Sequence, residues 1–183
     1  VEQALLLTGI GGQGIQFAAE VIARAALAEG HHVLLFGVYA GAMRGMNTDA
    51  TVVIGDEPVA SPPIVSRAEW ALAMHDRYWA PVAARLREGA TALFDEASFS
   101  AALPPGVRGV AVPAARVATE AGSEQAAALV LAAAFGARSG LVGVEALVRS
   151  MTEALPPYRA AQAPVNAAAI EAGYAWATEG AAA

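Results

Sequence analysis

The sequence predicts an α/β fold: a Rossmann-like, doubly wound, mainly parallel sheet followed by an α-helical C-terminal part. Three observations carry this. Apolar runs of strand length alternate with helical spacing through residue 113. A glycine-rich segment joins the first run directly to the first helical pattern. Beyond residue 113 the chain is alanine-rich and shows helical spacing alone. At 183 residues it fits a single domain, 1–183, with the sheet core in 1–113 and the mainly helical part in 114–180.

Residues 4–8 read as a buried strand, and 15–29 as a helix. In that helix Phe17, Val21 and Ala25 recur at helical spacing, and Gly30 supplies the stop. Strands are expected at 31–38 and 49–56, and a proline-rich connection containing Ser61 and Pro62 follows. A strand over 70–75, a helix over 76–88 and strands over 90–95 and 106–113 complete the expected sheet. Four helices are then expected, at 114–121, 123–136, 143–154 and 164–178.

Composition removes several classes of chemistry. Formal charge is −6, from 17 acidic and 11 basic residues, and no basic cluster points to a nucleic-acid partner. All the basic residues are arginine, so no Schiff-base or phosphate-loop lysine exists. Cysteine is absent, which excludes disulfides, thiolate nucleophiles and cysteine-ligated iron–sulfur clusters within this chain. His31, His32 and His75 are too scattered to suggest a metal site. The longest uncharged helical stretch, 126–137, falls short of the roughly 20 residues a bilayer requires. With no basic leader before the first apolar run, a cytoplasmic protein without a membrane partner is expected.

Gly9, Gly11 and Gly14 satisfy G-x-G-x-x-G between a strand and a helix, the context of a dinucleotide fingerprint. A nicotinamide site also needs an acid at the end of the second strand. Here that strand runs into "LLFGVYAG", and the next acid is Asp49. The loop therefore holds an anion, a dinucleotide, or nothing beyond a tight turn.

The longer pattern resolves more. "GIGGQGIQFAAEVIARAALAEGHHV", "YAGAMRG", "ATVVIGDEPVASPPI", "VPAARVATEAG" and "NAAAIEAGYAWA" follow one another in this order. Together, over about residues 5–178, they resemble the gamma subunit or gamma domain of 2-oxoacid:ferredoxin oxidoreductases. Family members act on pyruvate, 2-oxoglutarate, ketoisovalerate or indolepyruvate. The resemblance implies a subunit of a thiamine-dependent complex that converts a 2-oxoacid to an acyl-CoA and passes electrons to ferredoxin. Its partners would be alpha-, beta- and delta-type chains, which hold thiamine diphosphate and the iron–sulfur clusters, with CoA bound in the assembly. The chain itself is expected to be inactive alone and to bear no catalytic residue, its contribution being assembly and part of the CoA or substrate site. The alternatives are an independent Rossmann-type nucleotide- or flavin-binding protein and a diverged scaffold subunit.

Residue by residue, Gly9, Gly11, Gly12, Gln13 and Gly14 match the family's first loop and are the candidate cofactor-binding residues. Tyr39, Arg44 and Gly45 match its second loop and are candidates for a substrate, CoA or subunit contact. Ser61, Pro62, Asn166, Gly173 and Tyr174 match later positions. The second loop departs from the pattern at Ala40, Gly41, Ala42 and Met46, where glycine, proline, glutamate (or glutamine) and glycine are usual. The missing acid or amide at Ala42 leaves open which member enzyme this is.

Chemistry suggests roles and their plainer competitors. Gln13 can fix a partner backbone or a cofactor tail, or simply face solvent. Arg44, with no acid within four residues, suits bidentate contact with a carboxylate or phosphate, or an ion pair between subunits. Tyr39 suits an interface. Ser61 is read as capping a helix begun by Pro62, and Asn166 as capping or bonding within its own helical region. His75 and Asp76 end a strand and are expected to face apart. Asp95 is expected to close a turn or cap a helix. Trp70, Trp79 and Tyr78 suit either core packing or a subunit contact.

Overall fold

The computed structural model describes residues 1–39, 45–60 and 64–180. In chain order these form β1 (Glu2–Ile10), α1 (Ile15–Ala28), β2 (His32–Tyr39), β3 (Asn47–Gly55), β4 (Ala68–Ala73), α2 (Trp79–Ala83), β5 (Leu86–Asp95) and β6 (Arg108–Val112). The helical part contains α3 (Ala114–Ala121), α4 (Ala127–Ser139), α5 (Val144–Ala154) and α6 (Ala163–Glu179). Short 3₁₀ turns at Glu124–Ala126 and Pro157–Gln162 lead into α4 and α6.

The sheet is six-stranded and mixed, in the order β2-β3-β1-β4-β5-β6. β1, β4, β5 and β6 are mutually parallel, and β3 runs antiparallel to both β1 and β2. The α/β class with a helical C-terminal part is therefore as expected. What the strand pattern hid is the hairpin of β2 and β3. Its cause was available, because the 40–46 connection is shorter than the dozen or more residues a parallel crossover needs.

One helix is much shorter than its periodicity suggested. The 76–88 helix is reduced to α2, and β5 begins at Leu86. Gly89, at φ +80°, adopts a backbone that a right-handed helix excludes. The β4–β5 pairing also slips there, between Ala68 opposite Leu86 and Trp70 opposite Thr91. The strand thus carries a bulge where helical spacing had been read.

Alternation along β1 divides the core. Leu5 and Leu7 point with Val52, Ile54, Leu72 and Leu93 toward the helical layer, while Ala4 and Leu6 face a smaller cluster with Val53, Ala71, Trp79, Val82 and Phe99. Phe135 and Leu131 of α4 are fully buried, and every residue from Ala127 to Gly136 is at most 4% exposed where hydrophobic. Such a helix has no wet face. It is small-residue-rich because α6 must lie close against it. A Cβ on Gly173 would stand 2.9 Å from the Val130 carbonyl oxygen and 3.0 Å from its Cα.

β2 is the open edge, and Leu35, Phe36 and Val38 remain 41%, 42% and 45% exposed there. A long-range clasp ties the end of α1 to the start of α5, both carboxylate oxygens of Glu29 accepting the Gly143 amide at 3.1 Å.

The α4–α6 contact generates a stability prediction. Gly173→Ala forces two backbones apart and should cost about 1–3 kcal/mol, lowering Tm by about 3–10 °C in a thermal melt. An unchanged Tm would mean that the two helices are not held at this separation.

Candidate functional site

The glycine loop is built by different needs at successive positions. Gly12 and Gly14 take φ of +98° and +79°, which favour glycine. Gly9 leaves room for the Gln13 side chain, since a Cβ there would lie 2.7 Å from Gln13 Oε1 and 2.8 Å from Ile15 Cγ1. Gln13 folds back into that space. Its Oε1 accepts the Ile10 amide at 2.9 Å, and its Nε2 donates to the Met74 carbonyl at 3.2 Å. Gln13 thus spans the carboxyl ends of β1 and β4, the place where a doubly wound sheet ordinarily opens its crevice. Both ends of its amide are engaged within the chain, so it fixes the shape of the loop.

Gly11 joins the second loop. Its amide donates to the Met46 carbonyl at 2.7 Å, and its carbonyl accepts the Gly45 amide at 3.2 Å. Gly45 has φ +86°. The backbone of the first loop thus meets Gly45 and Met46 although β1 and β2 are not neighbours. β3 stands between β1 and β2, and its start pairs Asn47 with Ile10. Tyr39 ends β2 opposite Thr48. Arg44, Ala40, Gly41, Ala42, Ser61 and Pro62 lie outside the described residues.

A cleft of about 900 Å³ opens beside the loop. Gly11, Gly12, Gly14 and the first turn of α1 form one wall, and Leu35 of β2 borders it. Ser123 and Gln125 before α4, and Arg159, Gln162 and Asn166 around the start of α6, complete it. The first turn of α1 has no side-chain cap and no acid, which leaves amide donors and the positive end of the helix dipole facing this space. The Gly12 and Gly14 amides donate to no other described backbone group. Asn166 is 8% exposed and lines the cleft. Its side chain makes none of the intrahelical bonds expected of it and lines the cleft, where its amide is not sealed from solvent.

The remaining candidates settle into structural roles. His75 and Asp76 do approach, at 3.3 Å between Nδ1 and Oδ1, because both lie past the end of β4, where strand alternation no longer holds. This corrects the expectation that they face apart. The His75 Nδ1 accepts the Arg77 amide at 3.0 Å, and Asp76 accepts the Ser100 hydroxyl at 2.9 Å. The Ser100 hydroxyl, then its amide, hold the Asp76 carboxyl below the usual carboxylate range. Asp95, 2% exposed, accepts from the Ser98 hydroxyl and from the Ala115 amide at the start of α3. Trp79 packs edge-on against Phe99 at 5.1 Å, and Trp70 against Phe135 at 5.5 Å, so both belong to the core.

Asp49, the acid that seemed too late for a ribose contact, does come to lie beside β1. It accepts the Thr8 hydroxyl at 2.7 Å and the Asn47 amide at 3.0 Å. Thr8 shares the parity of Ala4 and Leu6, so this carboxylate sits on the sheet face away from the cleft. The geometry of a nicotinamide site is therefore missing. Sequence reasoning overlooked Gln125, Arg159 and Gln162. No local motif marks them, since only the packing of α4 and α6 brings them to the loop.

Fold and site together define an α/β domain with a polar cleft at the glycine loop between its first strand and helix. The chain belongs to the pyruvate ferredoxin/flavodoxin oxidoreductase family, whose pattern residues 4–176 match. Two similar curated proteins are ketoisovalerate oxidoreductase subunits VorA. That of Methanothermobacter marburgensis is 32% identical over 69% of this chain, and that of Methanothermobacter thermautotrophicus 31% over 97%. The chain spans 26% and 37% of those proteins. A keto/oxoacid ferredoxin oxidoreductase gamma subunit from Geobacter sulfurreducens has TM-score 0.81 and 26% identity, covering 98% of both chains. The 2-oxoglutarate:ferredoxin oxidoreductase of Magnetococcus marinus, solved with 2-oxoglutarate, coenzyme A and succinyl-CoA bound, shares the fold. Its TM-score is 0.84 at 18% identity, over 97% of this chain and 31% of that one. The gamma-type assignment thus rests on a whole-length match, and an independent nucleotide-binding protein is not favoured.

Gln13→Ala removes the acceptor of the Ile10 amide and one of the donors to Met74. A loss of about 1–2 kcal/mol is expected, measured by urea unfolding, and a loss below about 0.3 kcal/mol would contradict the clamp.

Proposed function

We propose that this chain is the gamma-type subunit of a 2-oxoacid:ferredoxin oxidoreductase, working with alpha-, beta- or delta-type chains in the cytoplasm. The complex would convert a 2-oxoacid and CoA to acyl-CoA, CO₂ and a proton, sending two electrons to ferredoxin. The observation that carries this is the family match over 4–176, which contains both loops and the cleft. Thiamine diphosphate and the clusters belong to the other chains in this reading. The sequence has no cysteine, and no group of three or more His, Asp or Glu converges among the described residues.

CoA suits the cleft on the chemistry of its walls. The uncapped amides at Gly12, Gly14 and the start of α1 suit phosphate oxygens, Arg159 adds charge, and Asn166 adds an amide to the wall. Arg44, placed by sequence in the connection between β2 and β3, is assigned a carboxylate, phosphate or partner contact. CoA supplies the thiol that accepts the acyl group. This chain's part is to bind and orient it. The exposed Leu35, Phe36 and Val38 on the β2 edge are assigned to the contact with a partner chain of the same complex.

Two outcomes test this. Co-expression with candidate alpha- and beta-type chains should give CoA-dependent viologen reduction on a 2-oxoacid panel. Turnover should vanish without this chain and fall at least tenfold with Arg44→Ala or Asn166→Ala. A complex equally active without the chain would refute the assignment. Separately, Phe36→Glu with Val38→Glu should abolish co-purification with the partner chains while leaving the melting curve of the purified subunit within about 3 °C. Intact assembly would move the interface elsewhere.

A further inference from the structure

Gln16, in the first turn of α1, reaches across the sheet edge. Its Nε2 donates to the Asp49 carbonyl of β3 at 2.7 Å and leans on the Val38 carbonyl of β2 at 3.4 Å. These carbonyls belong to residues that pair directly across the β2–β3 hairpin, close to where the second loop leaves the sheet. The reach depends on Gly37, since a Cβ there would overlap the Gln16 amide. Gln16 also lines the cleft, whereas Gly37 does not. One side chain therefore touches the ligand cleft, the helix whose amides face it, and both strands that carry the second loop.

We propose that Gln16 is a positioning residue, a latch that holds the end of β2 and the start of β3, with Gly45 and Met46, against the glycine loop and so sets the geometry in which the cleft takes CoA. The inference rests on the CoA reading above. The reciprocal bonds of Gly11 with Gly45 and Met46 tie the loops by backbone alone. Gln16 adds the tie that reaches both strands. Its two donors are essential, because each partner is a carbonyl and offers no hydrogen. Gln16→Glu would keep the size and lose both bonds, placing a carboxylate against two carbonyl oxygens.

The test uses the assembled complex with its partner chains and compares Gln16→Glu, Gln16→Ala, Gly37→Ala and the double variant Gln16→Ala/Gly37→Ala. Gln16→Glu and Gly37→Ala should each raise the KM for CoA about tenfold while the KM for the 2-oxoacid stays within twofold. The double variant should be no worse than Gln16→Ala, since Gly37→Ala acts by displacing Gln16. Gly37→Ala moves Gln16 itself, so the separation of positioning from direct ligand contact comes from the exchange of amides that Gln16 does not touch. Hydrogen exchange of the Gly11 and Gly45 amides in the same complexes should quicken about tenfold in each single variant.

An unchanged CoA KM with lowered Tm would overturn the latch and leave Gln16 a stabilising residue. So would additive losses in the double variant, or exchange rates equal to wild type. Failure of the underlying reading shows differently, as wild-type turnover that does not need this chain.

Discussion

The antiparallel strand between β1 and β2 is the constraint on which the rest depends. Had β2 paired directly with β1, the two loops would leave parallel strand ends and need side chains to join them. With β3 between, its first residues run alongside the last of β1, and the loops share backbone hydrogen bonds at Gly11, Gly45 and Met46. The glycine loop thereby acquires a fixed neighbour on one side. Gln13 fixes it to β4 on the other. What remains open is the helix-facing side, and the cleft lies there.

The helical part determines how deep that pocket is. α4 lies buried from Ala127 to Gly136, and α6 approaches it closely enough that Gly173 meets the Val130 backbone. This closeness carries the start of α6, with Asn166, and the turn bearing Arg159 to the N-terminus of α1. Packing chemistry and site chemistry are therefore linked through small residues. The alanine and glycine content that looks like compositional bias is also what lets distant polar groups converge.

Much of the architecture was legible in the sequence. The α3 boundaries follow from Pro113 and Gly122, and α1 ends near Gly30 as its glycine signals. The glycine loop announced itself by context. The direction of β3 did not, because apolar alternation is the same read either way, although the short connection before it was a usable clue. Around Gly89 a left-handed backbone overrode an apparent helical period. In the glycine loop, Gly9, Gly11 and Gly14 stood out by spacing and Gly12 and Gln13 by the family resemblance, but the internal engagement of Gln13 required knowing where Met74 lies. Asn166 was marked by its motif, while its place in the cleft wall comes from tertiary packing. The walls contributed by Gln125 and Arg159 carried no signal, since long-range convergence of ordinary polar residues leaves no local pattern.

The fourth helix has a consequence for how the domain must be made. It has no hydrophilic side, so resting on the sheet alone leaves half of its circumference bare. That half is covered by α6, which follows it in the chain only after α5 and a 3₁₀ turn. During synthesis α4 therefore leaves the ribosome well before its cover exists, and the nascent domain holds an apolar cylinder in water until α6 arrives. Emergence of α6 is the step that completes the burial of α4 and ends the interval in which an apolar helix face is open to wrong contacts.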